Sequence, residues 1–145
     1  MEDHEFGSVP DGVAYVDRPG AYAVIEDDAG LIAVIATGRG WFLPGGGMDA
    51  GETAVDALQR EVLEETGYEV SLIAEIGAAV DYVFAADKNT HFRLRSRFYH
   101  ARLGPKVADG AEPDHRLVWL ARDDAPSRLT RPSQAWAVER MSARR

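Results

Sequence analysis

The run Pro44-Gly45-Gly46-Gly47, followed six residues later by a capped helix, constrains this 145-residue chain more than any other feature. The proline and three glycines stop the β-prone stretch Trp41-Phe42-Leu43 and predict a loop whose backbone can approach a ligand closely. Thr53 to Thr66 is the strongest helix. Thr53 and Asp56 fit a capping box, Gly67 fits the left-handed position after the last turn, and Ala54, Val55, Leu58 and Val62 form one apolar face.

Around this unit the apolar pattern is mostly that of strands. Residues 21–25 and 31–35 read as a hairpin turning at Asp28 to Gly30. Val70 to Ile76, Ala78 to Phe84, Phe92 to Ala101 and Leu117 to Leu120 read as further strands, and Ser133 to Met141 as a C-terminal helix. Hairpins mixed with a helical crossover predict an α/β fold with a mixed sheet covered by helices. Residues 1–12 are polar and glycine-containing and are expected to be a flexible lead-in, leaving 13–145 as a single domain.

Charge narrows the partners. The net charge of -8 repels a nucleic-acid polymer. A phosphorylated substrate would need a cation between it and this protein. The absence of cysteine removes thiol nucleophiles, thiolate metal sites and disulfides. The start, Met1-Glu2-Asp3-His4-Glu5, is acidic where a secretory signal is basic, and no apolar run reaches the ~18 residues of a membrane span, so a soluble cytoplasmic protein is expected.

At ~100° per residue, Glu61, Glu64 and Glu65 share one helix face. Three carboxylates in one small volume repel one another. They are either a solvated acidic face or a site for a hard divalent cation, and the position of Glu61 and Glu65 beside the apolar stripe favours the site.

The spacing decides between these readings. From Gly46 the chain runs five residues to Glu52, then seven to Arg60-Glu61-Val62-Leu63-Glu64-Glu65-Thr66-Gly67-Tyr68. This resembles the Nudix box, G-x5-E-x7-R-E-U-x-E-E-x-G-U, with every fixed letter present. At about one chance in ten per fixed position, a coincidence is on the order of 10⁻⁷ per start. The likeness extends upstream through Phe42-Leu43-Pro44-Gly45 and downstream to Asp114-His115 and Trp119-Leu120.

The resemblance implies a Nudix-like α/β/α sandwich with the box as loop–helix–loop. It further implies Mg²⁺- or Mn²⁺-dependent hydrolysis of a nucleoside diphosphate linked to another moiety. By the same resemblance Glu61, Glu64, Glu65 and the Gly45 carbonyl ligate metal, while Arg60 and Glu52 hold the carboxylates in place. A guanidinium beside three carboxylates suits that role through paired hydrogen bonds. Relatives differ on the general base; a box glutamate, Glu112, Asp114 and His115 are the candidates.

Substrate contacts are less sharply marked. Arg39 and Trp41 lie just before the glycine loop, and Trp41, Trp119, Tyr82 and Phe84 could stack on a base or fill the core. Arg93, Arg95 and Arg97 alternate along one strand face, either as phosphate contacts or as a solvated surface. Position 83 is Val where ADP-ribose-specific relatives tend to carry Pro, and Tyr82 stands too near the box to match the tyrosine of dinucleoside polyphosphate enzymes. Nucleoside triphosphates, including damaged ones, are therefore expected ahead of dinucleoside polyphosphates and nucleotide sugars. A non-catalytic binding module would be expected to have lost box glutamates, and the isoprenoid diphosphate isomerases of related fold use a cysteine that is missing here. The partner expected is a small-molecule nucleotide, with no membrane; a homodimer is left open.

Overall fold

The computed structural model describes residues 4–110 and 113–144. The elements run β1 (His4–Phe6), β2 (Val16–Ile25), β3 (Leu31–Thr37), β4 (Gly40–Phe42), β5 (Gly45–Gly47), α1 (Ala54–Thr66), β6 (Tyr68–Ala85), β7 (Thr90–Lys106), β8 (Arg116–Ala121), α2 (Ala125–Arg128) and α3 (Pro132–Ala143). Five strands form a mixed sheet in the order β1-β6-β7-β2-β5, and three form a second sheet in the order β4-β3-β8. The β1–β6 and β2–β7 pairs are parallel, and every other pair is antiparallel. Among the described residues no helix is long and apolar enough to cross a membrane.

Both faces of the larger sheet are covered, which explains why the second half of β2, residues 21–25, is apolar without alternation. On one face Ala21, Ala23, Ile25, Tyr99 and Ala101 pack with Ala54, Leu58 and Val62 of α1. On the other, Val24, Ile76, Ala79 and Phe98 pack with Ala137, Val138 and Met141 of α3. Helix α1 has the expected ends: Thr53 Oγ1 accepts from the Asp56 amide at 3.1 Å, and Gly67 takes φ 79° while its amide bonds the Leu63 carbonyl. The mixed sheet with helices on both faces is the α/β architecture expected.

Four local expectations are corrected. The segments at 21–25 and 31–35 do not pair as a hairpin; beyond the single bridge Glu26–Ile32 they diverge into different sheets. Each is buried along its length, so each requires a neighbour on both edges, and β7 with β5 takes one while β8 with β4 takes the other. The glycine run is not only a loop, because Gly45–Gly47 pairs antiparallel with Gly20–Tyr22. The strands read at 70–76 and 78–84 are one bulged strand. At the join, Arg140 and Arg144 donate to the Ile76 carbonyl at 3.1 Å each, and Arg144 also donates to the Glu75 carbonyl at 3.0 Å, satisfying acceptors where the register slips. Finally, the lead-in is not loose throughout. His4–Phe6 adds a parallel strand to Ala79–Asp81, and the His4 ring lies 4.8 Å from that of Trp136.

Candidate active site

Pairing of Gly45–Gly47 with β2 sets the glycine run against α1, so the loop and the helix of the box face each other across a short gap. The approach is closest at Gly46, where a Cβ atom would stand 2.5 Å from the Glu61 carboxyl carbon. Any side chain there would drive Glu61 from its place. Glycine is required at this point by proximity, not by its backbone angles.

Arg60 organises the exposed side of this junction. Its Nε and Nη2 donate to the two oxygens of Glu52 at 2.8 and 2.9 Å, a bidentate pair. Nη1 donates to Glu61 at 3.0 Å and reaches Glu64 at 3.4 Å, and Nη2 also donates to the Gly47 carbonyl at 3.1 Å. Asp49 stands at 3.4 Å, and its amide donates to Glu52 Oε1 at 2.7 Å. The hydrogen bonds from Arg60, followed by that from the Asp49 amide, hold the Glu52 carboxyl down to about 2. Its carboxylate partners in turn hold the Arg60 guanidinium protonated well beyond its ordinary range.

Glu65 is held differently. Its side chain is 8% exposed, against 22% for Glu61 and 45% for Glu64. The Gly45 amide donates to its Oε1 at 2.9 Å, and His115 Nδ1 stands 3.3 Å from its Oε2. The three box carboxylates thus share one helix face, with Glu61 and Glu64 anchored by Arg60 and Glu65 by the Gly45 amide. The donor chemistry fits a hard divalent cation, since Glu61, Glu64 and Glu65 offer carboxylate oxygens from one helix face. Among the described residues no three Asp, Glu, His or Cys side chains are already closed around one point, and Glu61 and Glu64 lean instead toward Arg60.

The arginines of β7 separate into distinct environments. Arg93 donates to the Tyr82 hydroxyl at 3.2 Å and pairs with Asp17 at 3.3 Å and Glu5 at 3.5 Å, a network away from the box. Those hydrogen bonds, that to Tyr82 foremost, raise the pKa of its guanidinium further. Arg97 pairs with Glu75 at 2.8 Å. Arg95 and Arg97, with Pro19, Gly20, Met48, Ala78 and Ser96, line a cleft of about 380 Å³ that reaches the end of the glycine run at Met48. Arg39 sits in the tight β3–β4 turn, where its amide donates to Thr37 Oγ1. The Trp41 amide donates to Thr130 Oγ1 and its carbonyl accepts from the Thr130 amide, and its ring lies 4.2 Å beneath the Arg128 guanidinium. Trp119 packs against the α1 core, and Phe84 is exposed beside His91. Glu112 lies outside the described residues.

Sequence reasoning missed Tyr22, Arg131 and Asp81. Burial pushes the Tyr22 hydroxyl up to about 12, with Arg131 opposing the rise and Glu65, Glu61 and Asp81 adding to it, so this tyrosine lies within electrostatic reach of the box. Asp81 is 3% exposed and accepts from the Ser133 amide at 3.1 Å and its hydroxyl at 2.5 Å, fixing the start of α3 next to Arg131. Tyr22 sits within an apolar strand run and Arg131 before a helix, and neither setting carries a local signal.

The chain spans about half, or less, of the length of the two curated relatives that follow. It is 34% identical to the "Putative mutator protein MutT4" of Mycobacterium tuberculosis over 71% of this chain and 39% of that one. It is 38% identical to the "Putative 8-oxo-dGTP diphosphatase" of Bacillus subtilis over 61% of this chain and 52% of that one. The crystal structure of a MutT NUDIX hydrolase from Burkholderia pseudomallei superposes with a TM-score of 0.64 at 30% identity, covering 86% of this chain and 97% of its own. The family model for the NUDIX domain matches residues 16–141, which take in the box and both of the layers that position it, and the chain belongs to that family.

Proposed function

We propose that this protein is a metal-dependent pyrophosphohydrolase that cleaves a P–O–P bond of a nucleoside triphosphate, with oxidised nucleotides among its substrates, and that it works in the cytoplasm. The observation that carries the reading is the convergence of Glu61, Glu64 and Glu65 on one helix face against a glycine strand, the first two held by Arg60 and the third by the Gly45 amide. Such an arrangement stores like-charge repulsion that a cation would relieve. Family members generally use Mg²⁺ or Mn²⁺, and the bound ion supplies an activated water and neutralises phosphate charge.

The rest of the work falls to this chain's own side chains. Glu65 is fixed by the Gly45 amide before any ion arrives, while Glu61 and Glu64 are held loosely enough to turn from Arg60 toward it. Arg60 then remains paired with Glu52, which keeps the helix start and the glycine strand in register. The Gly45 carbonyl adds a backbone oxygen to the ligand set in this reading. The cleft at Arg95 and Arg97 is assigned to substrate phosphate, since guanidinium forks suit phosphate oxygens and an acidic protein needs fixed positive charge beyond the ion. Arg93 is withdrawn from that role because three groups of the strand layer already engage it. The name of the Bacillus subtilis relative supports a nucleoside triphosphate.

A panel of normal and oxidised nucleoside triphosphates, dinucleoside polyphosphates and nucleotide sugars, assayed separately for phosphate and pyrophosphate release with Mg²⁺, tests this reading. Pyrophosphate release from a triphosphate, abolished by chelator, is expected. Turnover that persists in excess chelator would remove the metal from the mechanism.

A further inference from the structure

The β7–β8 connection is fastened to the end of the box helix. Val107 and Ala108 donate their amides to the Gly67 carbonyl at 2.8 and 3.2 Å. Gly110 passes so near that a Cβ atom there would stand 2.6 Å from the Glu65 carbonyl oxygen. Beyond it the same connection delivers His115 to the most buried box carboxylate, with Nδ1 3.3 Å from Glu65 Oε2. That nitrogen is itself buried and satisfies no hydrogen-bond geometry with any described residue. A buried polar nitrogen left at this distance from a carboxylate is costly unless a small movement closes the bond.

We infer that His115 is a positioning residue: its Nδ1–H holds Glu65 Oε2 and so presents Oε1 toward the glycine strand and the incoming cation. Nδ1 faces a carboxylate across 3.3 Å, so that nitrogen is not the one that would reach an attacking water. The Gly45 amide orients Oε1 of Glu65, and His115 stands at the other oxygen, Oε2. A histidine bonded to a ligating carboxylate fixes that carboxylate's rotamer, and loss of such a partner typically costs tenfold to a hundredfold in metal affinity.

The inference rests on reading Glu65 as a metal ligand, and the experiment separates the two claims. Mn²⁺ is titrated into metal-free wild type, H115A, H115N and H115Q and followed by electron paramagnetic resonance. The asparagine amide can replace Nδ1, whereas the longer glutamine places its amide where Nε2 lies. H115A and H115Q should therefore bind Mn²⁺ about tenfold or more weakly, with H115N restored close to wild type, and nucleotide turnover should lose kcat with KM little changed. Melting in chelator should not distinguish H115N from H115Q. Histidine ¹⁵N spectra of the metal-free wild type should show the proton on Nδ1. Undiminished Mn²⁺ affinity in both H115A and H115Q, equal loss in H115N and H115Q, or a proton on Nε2 alone would each overturn the inference. A wild type that binds no Mn²⁺ counts against the metal reading, and the spectra still decide the contact with Glu65. If H115A does not fold, the asparagine and glutamine pair carries the test.

Discussion

Arg60 and Arg93 are both guanidinium hubs with three or more polar partners, but they are assembled from opposite kinds of contact. Every named partner of Arg60 lies between Gly47 and Glu64, within the loop and helix of the box. Arg93 draws on Glu5, Asp17 and Tyr82, three residues on three other strands or strand ends. Arg60 therefore forms its network as soon as the helix and its leading loop are in place. Arg93 has to wait for the sheet. In the proposed function one hub serves the chemistry and the other the strand layer, although a sequence pattern of charged residues does not tell them apart.

Replacing the carboxylates around the first hub should have the largest effect. Glu61→Gln and Glu65→Gln are each expected to lower kcat by on the order of 10²-fold or more, with the fold retained and the stabilisation by added Mg²⁺ reduced. Steady-state kinetics beside melting with and without Mg²⁺ would check both halves. Outright unfolding of either variant would make that glutamate structural, and would erase the contrast between the two hubs.

Next in size is Arg60→Lys. A lysine keeps the charge but not the fork that spans both Glu52 oxygens, so a kcat loss of roughly tenfold to a hundredfold is expected. The equivalent Arg93→Lys should leave kcat nearly unchanged and cost at most about 1 kcal/mol of stability, the scale of partly exposed ion pairs. Comparable kcat losses in the two variants, measured on the same substrate, would show that the strand network also serves the site.

Acid should distinguish the hubs further. The Glu52 pKa is depressed in the folded state, to about 2, so its contribution is complete above the unfolded glutamate pKa of about 4.3 and fades as pH falls from there. Urea unfolding of wild type and E52Q between about pH 5 and pH 2 should show a steeper acid loss in wild type. Parallel curves would mean that Arg60 does not hold Glu52 in solution as it does here.

The smallest effect is expected in the cleft between the hubs. Arg95→Gln should raise KM for a nucleoside triphosphate by several-fold while kcat stays near wild type, the signature of lost uniform binding. Arg93→Gln should not change KM. If the two variants behave alike, the cleft has no special claim on the phosphates.

These contrasts track what could be read in advance. The box helix, its Thr53 and Gly67 ends and the Arg60–Glu52 pairing were all legible, because each depends on residues within a few turns of one another. The hairpin expected at 21–25 and 31–35 was not realised, since two buried strands compete for edges supplied by β7 and β8 far along the chain. Tyr22, Arg131 and Asp81 were invisible for the same reason: their approach to the box depends on how α3 packs over the sheet. His115 was legible as a candidate base, but its 3.3 Å approach to Glu65 was not, because the β7–β8 connection brings it there.

By itself, then, the sequence determined that three carboxylates share a face and that one arginine stands among them, because helical pitch places i, i+3 and i+4 together regardless of context. It also supplied the glycine run ahead of that helix, whose Gly46 lets the backbone come close to Glu61. Only the tertiary structure decided how deeply each carboxylate is buried and which oxygen it offers. Those depend on β5 pairing with β2 and on the β7–β8 connection closing over the helix end, and both are long-range contacts whose register no local pattern encodes.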